Sequence, residues 1–441
     1  MSHITTIMKK EIREMLSPGS VASILIMVVL FAGMGGLIGG EVEKAAALPE
    51  FGYIGEKEYG YDGTTTPWTP YKFLTDTYGD EAGKITYLGN GSDDIAKMMQ
   101  EMGISSVIAL PSEEEFRSLM SEGKQITVLQ YYIYEPTGMF GSVSSTVMTS
   151  IVSLLNSNLS AKLISEGGYT DVSFITSPLV SGDSATSTIV NGEAHSGVTP
   201  YQIANAVSSQ TMMIPLVIMI IITMIGSIVI SSMGTEKENK TLETLLTLPI
   251  KRTSIVTGKI LAAAIVGLIY GLAYMAGMSI YMGAMTGMVA ESDSVDLASI
   301  GMSLDLADWA LVMLSIFLAI VCALGICMIL GAFSKNYKSA QTMTMPLSIL
   351  AIIPMFVIMF TGWYGCGSVL QGICFAIPFS HPMMAMQALM NGDSVLVLAG
   401  IAYMAVFAVT TILITVKVYN SDILITGLGQ NKWVQKMSRR R

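Results

Sequence analysis

Residues that could carry out catalysis are few in this chain, and their spacing does not suit it. The three histidines, His3, His195 and His381, form no i, i+4 pair of the kind that binds zinc. No G-x-S-x-G sequence occurs, so a serine nucleophile of the hydrolase type is not expected. No G-x-x-x-x-G-K-[ST] sequence occurs either, which argues against ATP binding through a P-loop. We therefore predict no catalytic, cofactor-binding or metal site in this chain.

A docking role is suggested instead by residues 235–259, TEKENKTLETLLTLPIKRTSIVTGK, which hold five of the 24 basic residues. Thr235 and Glu238 fit the S/T-x-x-E capping box, which predicts that a helix begins at Thr235. The leucines that follow lie at i, i+3 and i+4 and form one apolar stripe: Leu242, Leu245 and Leu246. Pro249 is expected to end this helix. Composition alone leaves two interpretations open, a helix that docks to a partner protein and a solvated helical loop.

The elements that position this segment are apolar. The chain is 51% hydrophobic and 13% charged, whereas a soluble domain has about 25% charged residues. A membrane-spanning helix needs about 20 apolar residues. Five runs contain no Asp, Glu, Lys or Arg, and they are 15–40, 194–235, 260–290, 309–334 and 339–392. A sixth apolar run fills 395–416. The chain is therefore predicted to be a polytopic protein of the cell membrane.

The distribution of charge predicts its orientation. Residues 41–205 hold eight basic and 21 acidic side chains. The four basic clusters together hold 16 Lys/Arg and six acids, and they lie at 9–14, 235–259, 335–338 and 417–441. Because Lys and Arg are enriched in cytoplasmic loops, we expect both termini and the segment 235–259 in the cytoplasm and residues 41–205 outside.

These observations predict an α-helical polytopic membrane protein with six transmembrane helices, a re-entrant segment and a mixed α/β extracytoplasmic domain. The predicted segments are, in order, an amphipathic elbow helix at 1–19, transmembrane helix 1 at 20–40, the extracytoplasmic domain at 41–205, transmembrane helix 2 at 209–232, the cytoplasmic helical segment at 235–259, transmembrane helices 3, 4 and 5 at 260–288, 309–333 and 341–361, the re-entrant or outer-leaflet segment at 364–390, transmembrane helix 6 at 395–416 and a basic tail at 417–441.

Alternating elements are expected within the extracytoplasmic domain. Strands are predicted at Ile85–Leu88, Val107–Leu110, Thr127–Ile133 and Val172–Ile175, and helices at Asp93–Met102, Ser112–Ser121 and Val143–Ile164. The last of these helices has one charge and resembles a seventh span. Its many Ser, Thr and Asn residues favour an external helix, because an extra crossing would also place the two termini on opposite sides.

The 54 uncharged residues at 339–392 present the main choice of topology. Two crossings there would put the basic tail outside, against the charge rule. One crossing followed by broken structure agrees with the rule, and the Gly and Pro residues after position 361 suit it. We therefore expect a re-entrant segment before the sixth span.

Residues 235–259 resemble the coupling-helix signature of type-2 ATP-binding-cassette (ABC) transporter permeases, and we call this segment the signature. Residues Glu236-Lys-Glu-Asn-Lys-Thr-Leu-Glu-Thr-Leu-Leu-Thr-Leu-Pro249, followed by Gly258-Lys259, match the family pattern E-x-E-x-x-T-L-E-x-L-L-x-x-P and its later G-K. The KKEIREML sequence near the N-terminus, Ile377-Pro-Phe-Ser-His-Pro382 and Asn391-Gly-Asp extend the resemblance. The large external domain is similar to that of the sodium-efflux branch and of its drug-, lipid- and peptide-exporting relatives.

The resemblance implies the permease subunit of an exporter, in which a separate ABC ATPase dimer binds ATP and Mg²⁺ and the permease is a homodimer surrounded by membrane lipid. The substrate is expected to be a sodium ion, a drug, a lipid or a peptide, and no nucleic-acid partner is implied. The implied ATPase-coupling residues are Glu236, Glu238, Thr241, Leu242, Glu243, Leu245, Leu246, Pro249, Gly258 and Lys259. A membrane-anchored receptor that senses a ligand through residues 41–205 is the alternative from another class.

Overall fold

The structure is a computed structural model that describes residues 47–61, 66–90, 94–136, 141–167, 169–241, 295–334 and 336–420, with isolated helical residues between 25 and 43 and between 258 and 276. It divides into two compact units. One is an α/β unit that contains Gly40–Ser209 and Val289–Ser303. The other is a helical unit that contains Met1–Gly39, Gln210–Met288 and Leu304–Arg441.

The α/β unit alternates short strands with helices. Its described helices are α1 Pro70–Tyr78, α2 Ile95–Met102, α3 Glu113–Glu122, α4 Gly141–Glu166, α5 Val172–Thr176 and α6 Pro200–Thr211, the last of which runs past the end of the unit. Its described strands are β1 Phe51–Ile54, β2 Ile85–Tyr87, β3 Ser106–Ala109, β4 Ile126–Thr127, β5 Leu129–Ile133, β6 Leu179–Val180, β7 Thr186–Val190 and β8 Glu193–Ser196.

Six of these strands form one mixed sheet in the order β2-β1-β3-β5-β7-β8. β1 pairs in parallel with β2 and β3, and β5 pairs in parallel with β7. The antiparallel pairs are β3 with β5 and β7 with β8. Asn191 and Gly192 join β7 to β8 with φ angles of 53° and 90°, which is the conformation that a two-residue hairpin turn requires.

Both faces of the sheet are covered at β1 and β3. Alternate strand residues pack into an aromatic core with α3 and α4, in which the Phe116 ring lies 4.4 Å from Tyr59 and 5.5 Å from Trp68 between centroids. The other face packs against α2 through Met99, Val107 and neighbouring side chains. A sheet covered on both faces has continuously buried strands, and every residue of β1 and β3 is buried.

The caps explain which predictions for this domain are confirmed. Asp94 accepts a hydrogen bond from the Lys97 amide and Ser112 from the Glu115 amide, so α2 and α3 begin close to where the sequence predicts. The predicted strand at Val172–Ile175 is wrong, because Asp171 caps a short helix there through the Ser173 and Phe174 amides. The Ser-rich helix α4 belongs to this core through Ile151, Leu155, Leu159 and Leu163.

The helical unit contains seven described helices. They are α7 Met213–Glu238, α8 Leu306–Phe333, α9 Tyr337–Met343, α10 Met345–Thr361, α11 Ser368–Ala376, α12 Ser380–Met390 and α13 Ser394–Asn420. α8 packs on α7 and α13, and α7 also packs on α9 and α10. Every residue of α12 is buried, because that helix lies against α7, α8, α10 and α13.

Four stretches of the described chain are long and apolar enough to cross a membrane. They are Pro200–Glu238, Leu306–Phe333, Tyr337–Thr361 and Ser394–Tyr419. These stretches contain the predicted helices 2, 4, 5 and 6, although α7 continues to Glu238 rather than ending near 232. The predicted elbow helix, most of transmembrane helices 1 and 3, and the basic tail lie outside the described residues.

Candidate functional site

The signature begins on the last turn of α7. Thr235 lies inside that helix and donates its hydroxyl to the Ser231 carbonyl, 3.0 Å away. The helix ends at Glu238, with Asn239 as its C-cap and Lys240 at a φ of 56°. The predicted capping box at Thr235 is therefore wrong, because α7 runs through this position instead of beginning there.

Lys237 contacts the end of α8. Its ammonium donates hydrogen bonds to the Ala332 carbonyl and, at 2.9 Å, to the Ser334 carbonyl. The last four carbonyls of a helix have no partner within it, and their partial negative charge attracts a cation. Lys237 thus supplies the partner that the last turn of α8 lacks.

Glu238 contacts the beginning of the next helix. Its Oε2 accepts a hydrogen bond from the backbone amide of Tyr337, the first residue of α9, over 3.1 Å. Asn336 caps the same helix by accepting from the Ser339 amide at 2.9 Å. The free amides of the first turn carry partial positive charge, so a carboxylate is stabilised there. We call the contacts of Lys237 and Glu238 with Ala332, Ser334 and Tyr337 the Lys237–Glu238 clip.

A close approach of α7 and α9 lies one turn before the clip. A Cβ atom on Gly234 would be 2.7 Å from the Ala340 Cβ and 2.9 Å from the Asn336 carbonyl oxygen. Real Cβ atoms essentially never come that close to another heavy atom. Glycine is therefore the residue that lets α9 lie directly on α7 at this point.

A buried tyrosine joins the last helix to the same end of the unit. The Tyr419 hydroxyl on α13 donates to the Met233 sulfur at 2.8 Å and lies 3.7 Å from the Met328 sulfur on α8. Thioethers are weak acceptors, so most of the stabilisation from Tyr419 comes from its buried ring. The ends of α7, α8 and α13 and the beginning of α9 thus meet in one place.

The structure locates part of the predicted coupling set. Glu236 is half-buried on the last turn of α7, whereas Glu238 and Thr241 are exposed, and Gly258 is one of the isolated helical residues. The others lie outside the described residues: Leu242, Glu243, Leu245, Leu246, Pro249 and Lys259. Sequence reasoning missed Lys237, Gly234 and Tyr419. The available signal for the first of these was a lysine close after the predicted end of transmembrane helix 2 at 232.

The part of the chain that the structure describes contains no group of three or more His, Cys, Asp or Glu side chains that could hold a metal ion. The arrangement at the end of α7 consists of hydrogen bonds and packing contacts between helices. These contacts hold the ends of neighbouring helices together.

Comparison with known proteins identifies the family. A search of curated proteins found no match. A solved structure that is similar to this chain is the "Crystal structure of a domain of a putative ABC type-2 transporter from Thermotoga maritima MSB8", with 17% identity, 35% of this chain and 96% of that chain covered, and a TM-score of 0.28. The family model described as "ABC-2 family transporter protein" matches residues 18–417. Because this match spans nearly the whole sequence, the chain belongs to the ABC-2 family of transporter proteins.

Proposed function

We propose that this chain is the permease subunit of an ATP-driven ABC exporter whose ATP is hydrolysed by a separate ATPase subunit. The observation that carries this proposal is the position of the signature. Residues 236–238 form the last turn of a helix that is long and apolar enough to span a membrane. A force that a partner applies to residues 242–259 therefore acts at once on a membrane helix.

The partners follow from the family and from the absence of a P-loop in the sequence. ATP and Mg²⁺ bind to the ATPase dimer, and its surface receives the signature helix. A second copy of the permease completes the transporter, and transport is outward. The substrate is a sodium ion, a drug, a lipid or a peptide, and the uncharged spans favour one that needs no ionised side chain at membrane depth.

Two observations support six spans with a re-entrant segment at 364–390 and cytoplasmic termini. The Tyr364 hydroxyl donates to Asp393 over 2.8 Å, so the chain leaves α10 and enters α13 at the same end of the unit. The intervening helices α11 and α12 have 9 and 11 residues, which is too short for either to cross a membrane, and α12 is covered by protein on all sides. The opposite end carries the bases Lys237, Lys338 and Lys417, as a cytoplasmic surface does.

The docking role is tested with Leu245→Asp, which places a charge in the apolar stripe of the signature. We expect this variant to insert into the membrane normally but to lose co-purification with the ATPase subunit and stimulation of its ATP hydrolysis. Leu306→Asp is the matched control, because Leu306 is 88% exposed at the beginning of α8. Normal ATPase binding and stimulation in Leu245→Asp would disprove the coupling role.

A further inference from the structure

The two residues of the Lys237–Glu238 clip contact opposite sides of one turn. Lys237 binds the carbonyl end of α8, and Glu238 binds the amide end of α9, the next helix in the chain. Each charge matches the polarity of the helix end that it contacts. Exchanging the two side chains would oppose both helix dipoles, so the order Lys-Glu has a physical reason.

The clip also fixes the rotation of α7. Successive residues of an α-helix project about 100° apart, so both contacts form together only at one rotation of α7 about its axis. Gly234 lies three and four residues before Lys237 and Glu238 and therefore shares their side of the helix. Its close contact with Asn336 and Ala340 prevents α9 from sliding along this side. Three points on α7 thus hold the turn between α8 and α9.

We propose that Lys237 and Glu238 are positioning residues that make the end of α7 and the α8–α9 turn move as one body. This inference rests on the proposed function, in which an ATPase pushes on residues 242–259. The push then reaches α8 through Lys237 and α9 through Glu238, as well as α7 directly. Since α8 packs on α13 and α9 leads into α10, one docking event displaces four spans together.

The first measurement needs only the permease. Lys237→Met keeps the apolar stem of the side chain and removes its hydrogen-bond donors. In hydrogen–deuterium exchange of the full-length protein in nanodiscs, we expect amides in the last turn of α8 and the first turn of α9 to exchange at least severalfold faster than in the wild type. Lys417→Met is the control, because it removes the same charge from an exposed position on α13.

The second measurement tests transmission without knowledge of the substrate. The wild-type permease bound to its ATPase subunit is compared with and without a non-hydrolysable ATP analogue. We expect nucleotide to change exchange both at the end of α7 and at the α8–α9 turn. In Lys237→Met the change at the end of α7 should persist and the change at the turn should be lost, whereas Lys237→Arg should restore it. If Lys237→Met does not fold, Lys237→Gln replaces it.

Each result decides the proposal. Unchanged exchange at the turn in the isolated Lys237→Met protein would show that no clip holds it. A normal nucleotide response at the turn in that variant would show that the clip is structural and does not transmit. Failure of the wild-type permease to respond to nucleotide anywhere would overturn the proposed function, and the transmission with it, while the measurement on the isolated permease would still report whether the contacts exist.

Discussion

Replacing Gly234 with alanine measures how tightly α7 and α9 are packed. The added Cβ would lie 2.7 Å from the Ala340 Cβ and 2.9 Å from the Asn336 oxygen, whereas ordinary contacts begin at 3.4 Å. The neighbours must therefore retreat by about 0.5–0.7 Å, and neither is the far end of a flexible side chain. Such overpacking typically costs about 1–3 kcal/mol. Better helix propensity of alanine offsets at most about 1 kcal/mol of that cost.

Gly372 provides the matched control. It lies inside α11, and no atom is within 4 Å of the position that its Cβ would occupy. Gly372→Ala should therefore be stabilising by about 0.5–1 kcal/mol, since alanine loses less conformational freedom on folding. Thermal unfolding of both full-length variants in detergent should thus show a lower melting temperature for Gly234→Ala than for Gly372→Ala. Equal melting temperatures would refute the close packing of α7 against α9.

Three further predictions concern buried aromatic residues. Burial raises the pKa of Tyr59 to about 12, so the stability that its protonated form contributes is complete below about pH 10 and lost as pH rises toward 12. The last part of the tyrosinate absorbance in an alkaline titration should therefore appear together with unfolding of the α/β unit. Trp68→Phe should destabilise the same unit by about 1–2 kcal/mol in thermal unfolding, because the indole N–H donates to Asn158 at 2.9 Å; an unchanged melting temperature would contradict this. Tyr419→Phe should change the melting temperature less than Trp68→Phe, because phenylalanine keeps the buried ring and the hydroxyl's contacts with Met233 and Met328 are to weak thioether acceptors.

Local signals in the sequence succeeded where a cap or a hydrophobic period decided the structure. Asp94 and Ser112 each mark the start of a helix, because each side chain accepts a hydrogen bond from a backbone amide of the first turn. The Asn191-Gly192 pair is an equally local signal for the β7–β8 hairpin, which the sequence reading omitted. Val172–Ile175 misled because its β-branched residues favour a strand, while Asp171 satisfies the amides of a helix.

The end of α7 was harder to predict because the deciding contacts are distant in sequence. The pattern from Thr235 to Glu238 fits a helix start, but α7 continues through it without a break, and Gly234 allows α9 to lie close to α7. Lys237 lies 95 residues from Ala332, so its contact cannot be read from local spacing. The family pattern marks the glutamates on either side of this lysine and leaves its own position unspecified.

The strength of the clip suits the transmission of a signal. A hydrogen bond to a charged group contributes about 1.5–3 kcal/mol, and partial exposure of Lys237 favours the lower end of that range. Coupling free energies between sites are typically about 1–3 kcal/mol. Separating α7 from the α8–α9 turn would therefore cost about as much free energy as a typical coupling between sites. Joint movement of the helices has the lower free-energy cost. If the signature moved α7 alone, the last turn of α7 would need no contacts with α8 and α9.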